Sequence, residues 1–572
     1  MYNQAMRIDE QIKAALAEIA SDLGVADIVI ELEESADPKF GDYTSNLAMK
    51  LAKPLGCRPD ELATEICKRL SATEFSQQTG HISPAGPGFI NIALSPQAIW
   101  QVTAEVLAQG DAAGYNEAQA DKTVLIEHSS PNLFKPFHIG HMMNNTIGEA
   151  LVRLSESAGA QTIALSYPSD VSLGIGKAVW ALLQGDAPKL LDENLSQVEK
   201  LKILGDAYVA GTKAYEEDEV VQGEVRAITQ SIYAGEDGNA WQIYQVGRHL
   251  SLTYFKEITA RLGSQFQDMI FESEAGRIGK ELVTEYLERG VFEKSDGAVV
   301  YNGEADGLHT RVFLNSAGNP TYEAKDIGLM KLKNDRYHPD TSVTVTDHEQ
   351  QQYFRVVAHA ASQINPVWGG NFKHITHGRM QFKGKKMSSR LGGVPLAEDI
   401  INAVRDEVAE RATGRELSDE TIDAIAIGAI KFVILKAEAG KNINFDPDTS
   451  LSFEGDSGPY LQYTFARIQS LLAKGKEAGI TPGVDAGSPE ASLVDRKLMH
   501  FAEVVERAQR DYAPHHVAGY LLELAREFNS WYASTPIIGG EQPEHDLARA
   551  QAVGQVIKNG LHLLGIDSPV KM

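Results

Sequence analysis

Cysteine is scarce: Cys57 and Cys67 are the only two among 572 residues, too few for a cysteine-based zinc knuckle and unremarkable as small buried residues in a reducing compartment. No structural metal is expected. Long apolar runs are missing too. The N-terminal stretch sets Asp9, Glu10 and Lys13 among its apolar positions, which predicts neither a cleavable signal nor a membrane span and points to a cytoplasmic address. Positive charge is in deficit. Against 78 Asp and Glu stand 53 Lys and Arg, and the net charge of −25 argues at first sight against a nucleic-acid partner. The local field of a binding face counts for more than the total. Arg379, Lys383, Lys385, Lys386 and Arg390 crowd into one short stretch and predict a positive pocket, whereas Glu216-Glu217-Asp218-Glu219 reads as a solvated helix face.

What is present suggests several domains. The length exceeds what one core supports, and 43% hydrophobic residues with ordinary glycine and proline describe a globular chain. Ile8, Ile12, Leu16, Ile19 and Leu23 fall on one face of a helix that Gly24 ends. Small and polar residues at 110–114 mark a linker. From there to about 400, β-branched runs alternate with helical patterns, as in a parallel sheet covered by helices. Beyond about 415 the pattern is helical, and Ile425, Ile427, Ile430, Phe432, Val433 and Leu435 are apolar on too many sides for a surface helix.

Two peptides carry chemistry. His138-Ile139-Gly140-His141 follows the β-branched run Thr123-Val124-Leu125-Ile126 and precedes Ile147, Leu151 and Leu154 at helical spacing, so it reads as strand, loop, helix. A helix N-terminus offers unpaired N–H groups to an anion, Gly140 permits close approach, and two imidazoles can donate to phosphate oxygens as charge builds. Lys386-Met387-Ser388-Ser389 supplies a cation and hydroxyls for a leaving pyrophosphate, with Lys383 and Lys385 nearby and glycines at 384, 392 and 393 for loop movement. Taken alone, the first peptide reads as a polar helix cap or two satisfied histidines, and the bland reading of the second is a solvated basic loop.

The stretch Ser130-Pro131-Asn132, Lys135-Pro136 and then the two histidines resembles the first signature of the arginyl-tRNA synthetases, class I enzymes. Phe40-Gly41-Asp42-Tyr43 and Gly86-Pro87-Gly88-Phe89-Ile90-Asn91 are similar to that family's appended domain, Pro320-Thr321-Tyr322-Glu323-Ala324-Lys325-Asp326 to its arginine pocket, and Gly458-Pro459-Tyr460-Leu461-Gln462-Tyr463 to the opening of its anticodon-binding domain. The resemblance implies a multidomain α/β protein: an α+β appended tRNA-binding domain over 1–112, a Rossmann-type parallel-sheet catalytic domain over 120–410 with a helical insertion around 185–262, and an all-α helical-bundle anticodon-binding domain over 415–572. It implies ATP with Mg²⁺, L-arginine and arginine-specific tRNA as substrates, and a monomer without membrane partners. His138, His141 and Lys386 would be catalytic. ATP would meet Lys135, His138, Gly140, His141, Lys383, Lys386, Met387, Ser388 and Ser389. Arginine would meet Ser130, Asn132, His141, Glu272, Tyr322, Asp326 and Gln350. Phe89 and Asn91, alternating on one strand, would touch tRNA.

A buried guanidinium needs carboxylates, whose geometry its planar fork matches. Tyr322 and Asp326 share a face if their stretch is helical. Met142-Met143-Asn144-Asn145, and Ser169 and Ser172 around Asp170, depart from the family pattern, in which a leucine, an arginine and small hydroxyl residues, and flanking glycines, are usual. Competing readings are a class I paralogue for another amino acid, in which Glu272, Tyr322 and Asp326 would not converge, and a tRNA-binding protein without catalysis.

Overall fold

The computed structural model describes residues 7–35, 37–383, 395–412, 417–484 and 490–572. They divide into two compact units, one formed by the chain up to 113 with 468–502 and 523–556, the other by 114–467 with 503–522 and 557–572.

In the first unit Ile12, Leu16 and Ile19 bury one face of α1 (Ile8–Asp22), and Gly24 beyond it adopts a left-handed φ of +91°. Helices α2 (Leu47–Leu55) and α3 (Pro59–Leu70) pack on an antiparallel sheet of order β1-β2-β4-β3, comprising β1 (Glu33–Glu34), β2 (Tyr43–Ser45), β3 (Thr79–Ala85) and β4 (Phe89–Leu94). Gly41 has φ +100°, and a Cβ there would lie 2.7 Å from the Ile92 carbonyl oxygen, so only glycine allows the turn that delivers Asp42. Asp42 is buried, accepts from Leu94 N at 2.7 Å and pairs with Arg496. The same core includes Met499, and Trp100 of α4 (Pro96–Gln109) donates to the Val484 carbonyl at 3.2 Å. The N-terminal segment thus shares its core with residues from the far end of the chain.

The second unit is built on a parallel sheet of order β12-β11-β5-β6-β7: β5 (Thr123–Glu127), β6 (Gln161–Ser166), β7 (Asp268–Met269), β11 (Thr341–Asp347) and β12 (Phe372–His377). Helix α5 (Ile139–Ser157) crosses from β5 to β6. Five α-helices intervene between β6 and β7: α6 (Leu173–Ala181), α7 (Ala187–Leu191), joined to α6 by a π-helical turn, α8 (Gln197–Glu217), α9 (Glu219–Ala234) and α10 (Asn239–Arg261). Between β7 and β11 come α11 (Glu272–Glu288), an antiparallel sheet of β8 (Glu293–Ser295), β9 (Ala298–Tyr301) and β10 (Arg311–Leu314), and α12 (Tyr322–Tyr337). The sheet grows from β5 in one direction through β6 and in the other through β11. That reversal opens a crevice at the carboxyl ends of β5 and β11, where such folds bind ligands.

Beyond α13 (Gln351–Ile364) and α14 (Pro366–Gly370) the described residues are mainly helical, as the pattern suggests, apart from β12 and the parallel pair β13 (Met380–Phe382) and β14 (Ile443–Phe445). Helix α16 (Asp419–Lys436) packs on α5 and on α15 (Ala397–Arg411), burying Ile425, Ile430, Phe432 and Leu435. Its Lys431 is 1% exposed and donates to the Leu262 and Gly565 carbonyls at 2.5 and 2.6 Å, while burial pushes its pKa down to about 8. After a short helical turn at Pro447–Ser450 come α17 (Gly458–Glu477), α18 (Leu493–Met499), α19 (Phe501–Asp511), α20 (His515–Ser534) and α21 (Pro543–Leu563). The second half of α17 and all of α18 belong to the first unit and most of α19 to the second.

Candidate active site

The loop after β5 sets the two histidines at the start of α5. His138 is the N-cap, and its Nδ1 accepts from Gly140 N at 3.1 Å. His141 Nδ1 accepts from His138 N at 3.3 Å, and the rings stack with centroids 3.8 Å apart. Both Nδ1 atoms being acceptors, the proton of each neutral ring sits on Nε2. Burial and then the Lys135 charge depress the His138 pKa, and burial with the charges of His138 and Lys135 brings His141 down to about 3. Two uncharged rings thus present Nε2–H donors beside a helix N-terminus. A Cβ on Gly140 would lie 3.1 Å from His138 Cε1, so glycine lets the ring lie close against the first turn.

Residues 395–397 return to this signature. Ile139 N donates to the Pro395 carbonyl at 3.0 Å and Ala397 N to the Phe137 carbonyl at 2.8 Å. Lys386, Met387, Ser388 and Ser389 lie outside the described residues. Lys383, the last described residue before them, is exposed and its N–H is held by the Phe445 carbonyl at 2.8 Å. Lys135 is exposed, its Nζ 4.5 Å from the centroid of the Tyr208 ring.

The carboxylates gather beside α11 and α12, which approach closely because small residues line their contact: a Cβ on Gly279 would lie 1.8 Å from the Ala324 carbonyl oxygen and one on Gly328 2.0 Å from that of Ala275. Glu272, at the first turn of α11, accepts from Ser169 Oγ at 2.8 Å and from Lys325 Nζ at 2.9 Å, both members of the ion pair being buried. Burial opposes the charge of Lys325, but Glu272 outweighs it and raises the pKa above the ordinary lysine value. Glu127, at the end of β5, is buried with Lys333 and accepts from Thr344 Oγ1 at 3.0 Å. Asp170 accepts from Ser273 N and Oγ at 3.0 and 2.9 Å, with Arg248 Nε 3.5 Å away.

Asp326 differs. Its Oδ2 accepts from the Tyr353 hydroxyl at 2.6 Å, and among the described residues no cation stands within ion-pair distance. Burial, opposed by that hydrogen bond and reinforced by the charges of Glu127 and Glu272, pushes its pKa up to about 8. Among the described residues the site therefore holds three acids matched by cations from within and one, Asp326, awaiting a cation.

Tyr322 and Asp326 are both on α12, with Tyr322 60% exposed and its ring centroid 5.1 Å from Lys325 Nζ. Ser130 Oγ accepts from Tyr167 N at 3.3 Å, Asn132 pairs its backbone with Ser169, and Gln350 stands at the N-cap position of α13 with its side chain exposed and not bonded to the helix end. In the first unit Phe89 is 37% exposed, whereas Asn91 is buried and accepts from Thr44 Oγ1 at 3.1 Å, so of that pair Phe89 presents the larger surface. The residue pattern did not single out Glu127, Lys325, Lys333, Tyr353 or Tyr167. An acid ending a β-branched strand and lysines on the inner face of a helix were the available signals.

The family model described as "tRNA synthetases class I (R), catalytic domain" matches residues 101–446. The chain belongs to the class I arginyl-tRNA synthetases. Models described as "Arginyl tRNA synthetase N terminal domain" and "DALR anticodon binding domain" match 6–94 and 461–572 of this family member. It is 30% identical to the arginine–tRNA ligase of Treponema denticola, covering 94% of this chain and 93% of the relative, and 30% identical to that of Lactobacillus delbrueckii subsp. bulgaricus, covering 98% and 99%. Its fold is similar to the solved Thermus thermophilus arginyl-tRNA synthetase, with a TM-score of 0.80, 24% identity and coverage of 98% and 99%. The class I parallel-sheet catalytic region, N-terminal domain and helical C-terminal region are those expected from the pattern.

The departures from the family signature have structural roles in this synthetase chain. Asn144 accepts from Ser129 N and donates to the Val345 carbonyl, tying the loop after β5 to β11. Met142 and Met143 are buried in the core that also contains Phe137. Ser169 fixes Glu272, and Ser172 caps α6 by accepting from Ile175 N at 3.3 Å. Among the described residues no group of three His, Cys, Asp or Glu is arranged to hold a metal ion, and no helix is long and apolar enough to cross a membrane.

Proposed function

We propose that the protein ligates L-arginine to its cognate tRNA through an arginyl-adenylate. An oxygen of the arginine α-carboxylate attacks the α-phosphorus of ATP, which enters as its Mg²⁺ complex, and the bond to the bridging oxygen breaks with departure of pyrophosphate. A ribose hydroxyl of the terminal tRNA adenosine then attacks the activated carbonyl, forming the ester and releasing AMP. Neither step needs a protein nucleophile; each needs in-line positioning and donors where negative charge accumulates.

The observation that carries this reading is Asp326. Glu127 and Glu272 already have lysines and Asp170 has Arg248, so among the described residues the acids leave one negative charge to be matched, and a guanidinium matches it with a planar pair of N–H donors. An uncharged amino-acid side chain would leave Asp326 protonated or unpaired. The convergence of Glu272 and Asp326 near Tyr322 also favours arginine over the substrate of a paralogue, and the paired histidines favour catalysis over tRNA binding alone. Ser130, Asn132 and Gln350 hold the α-amino and carboxylate end. The Nε2–H groups of His138 and His141 meet ATP phosphates at the α5 N-terminus near Gly140 and Lys135. Lys386, helped by Lys383, Met387, Ser388 and Ser389, closes on the pyrophosphate.

Residues 1–112 contribute to tRNA binding through Phe89 and Asn91, 120–410 to catalysis and 415–572 to the anticodon. The protein acts as a cytoplasmic monomer. Purified protein with tRNA, ATP and Mg²⁺, assayed with each of the twenty amino acids, is expected to charge arginine alone. Charging of another amino acid at a comparable rate would contradict the reading.

A further inference from the structure

Beside the acids lies a buried hydroxyl that has no hydrogen-bond partner among the described residues. Tyr167 follows β6 at the carboxyl end of the sheet, where Ser130 Oγ holds its N–H, and the carbonyl of the next residue, Pro168, accepts from Glu272 N at 3.1 Å. The residue is 8% exposed and packs among Leu125, Leu165, Ile270 and Leu329. Its hydroxyl oxygen is buried and makes no hydrogen bond among the described residues. Burying a hydroxyl without a partner costs free energy.

The neighbouring acids do not relieve that cost. Glu272, Asp326, Glu127 and Asp170 all act electrostatically on Tyr167, yet each takes its hydrogen bonds elsewhere. Ser169 and Lys325 serve Glu272, Tyr353 serves Asp326, Thr344 and Lys333 serve Glu127, and Ser273 serves Asp170. We propose that Tyr167 Oη is a specificity-determining contact for arginine, accepting a guanidinium N–H while the same group pairs with Asp326. This rests on the arginine-ligase reading above. A guanidinium carries five N–H donors in a plane, more than one carboxylate can accept, so a second acceptor is required. A phenol supplies it without adding charge to a site that already contains four acids. Burial and those acids hold the Tyr167 pKa well above the usual tyrosine value, so the group stays a neutral hydroxyl.

Tyr167→Phe retains the ring and removes only the oxygen. In pyrophosphate exchange with tRNA present, the arginine KM should rise roughly tenfold or more while kcat and the ATP KM stay within about twofold. The ligand-free variant should melt no lower than the parent, because an unpaired buried hydroxyl has been removed, but saturating arginine should raise its Tm less. A merely structural tyrosine would instead lower the ligand-free Tm and leave the arginine KM alone. Parent-like arginine KM and parent-like thermal shift in the variant overturn the inference and leave the ligase reading standing. Absence of arginine-dependent exchange in the unaltered protein overturns both.

Discussion

Lys325 Nζ lies 2.9 Å from Glu272 Oε2, with both side chains 7% exposed, and this ion pair fixes the α11–α12 corner on which the pocket is built. The charges are cheap to bury together and expensive apart. Lys325→Met should destabilise the fold by roughly 3–5 kcal/mol, because Glu272 is left buried without its cation. Adding Glu272→Gln should recover much of the loss. Urea unfolding of the two variants measures this, and equal stability of parent and Lys325→Met would show that the pair is dispensable.

Arginine affinity should depend on pH through Asp326. In the free protein its carboxyl retains a proton up to a pKa of about 8. A bound guanidinium requires the carboxylate, so binding below that pH expels the proton. Affinity should therefore fall by up to about tenfold for each pH unit below the free-state pKa and level off above it. Calorimetric titration at pH 6.5 and pH 9, in buffers of differing ionisation enthalpy, should detect proton release only at the lower pH. Buffer-independent heats at both would refute the titration. The same raised pKa means that the ligand-free fold loses stability as pH rises from the unfolded carboxyl range toward 8, and bound arginine should cancel that loss.

The strand-loop-helix around His138 was legible because local periodicity reports it, whereas the helix carrying Tyr322 and Asp326 entered only as a condition for their sharing a face. The neutralising lysines were not legible. Lys325 meets an acid 53 residues away and Lys333 one 206 residues away, and a lysine read locally on a helix looks solvated. Nor could a linker at 110–114 reveal that the N-terminal core incorporates Met499, or that Asp42 finds Arg496. Both are contacts between opposite ends of the chain, invisible to any window of neighbouring residues.

Removing residues 1–113 should consequently injure more than tRNA binding. The deletion exposes Met499, strips Arg496 of its buried partner and frees the Val484 carbonyl from Trp100. The truncated protein is expected to show early loss of helical signal on heating, beginning in α18 and the segments packed with it. Hydrogen exchange would locate that loss. Parent-like protection across 490–500 would show that the C-terminal helices fold independently.

Lys431 offers a test away from chemistry. Lys431→Met keeps the aliphatic length but leaves the Leu262 and Gly565 carbonyls without their donor, which should cost about 1–3 kcal/mol per orphaned group. Its folded pKa lies below the unfolded value, so the parent should gain stability between about pH 8 and the unfolded lysine range near 10, a gain the variant lacks. Chemical unfolding across that interval compares them, and superimposable pH curves would contradict the assignment.

The most direct measurement is the arginine KM of Asp326→Asn in tRNA charging at pH 8.5 or above, where the parent carboxyl is ionised. Asparagine keeps the shape, can still accept from Tyr353 and imitates the protonated acid, so the ligand-free protein should remain as stable as the parent. The arginine KM should rise on the order of a hundredfold or more, as for loss of one member of a buried charge pair, while the ATP KM changes by less than about twofold. An arginine KM equal to that of the parent would contradict the account, because it would move the guanidinium away from the one acid left unmatched.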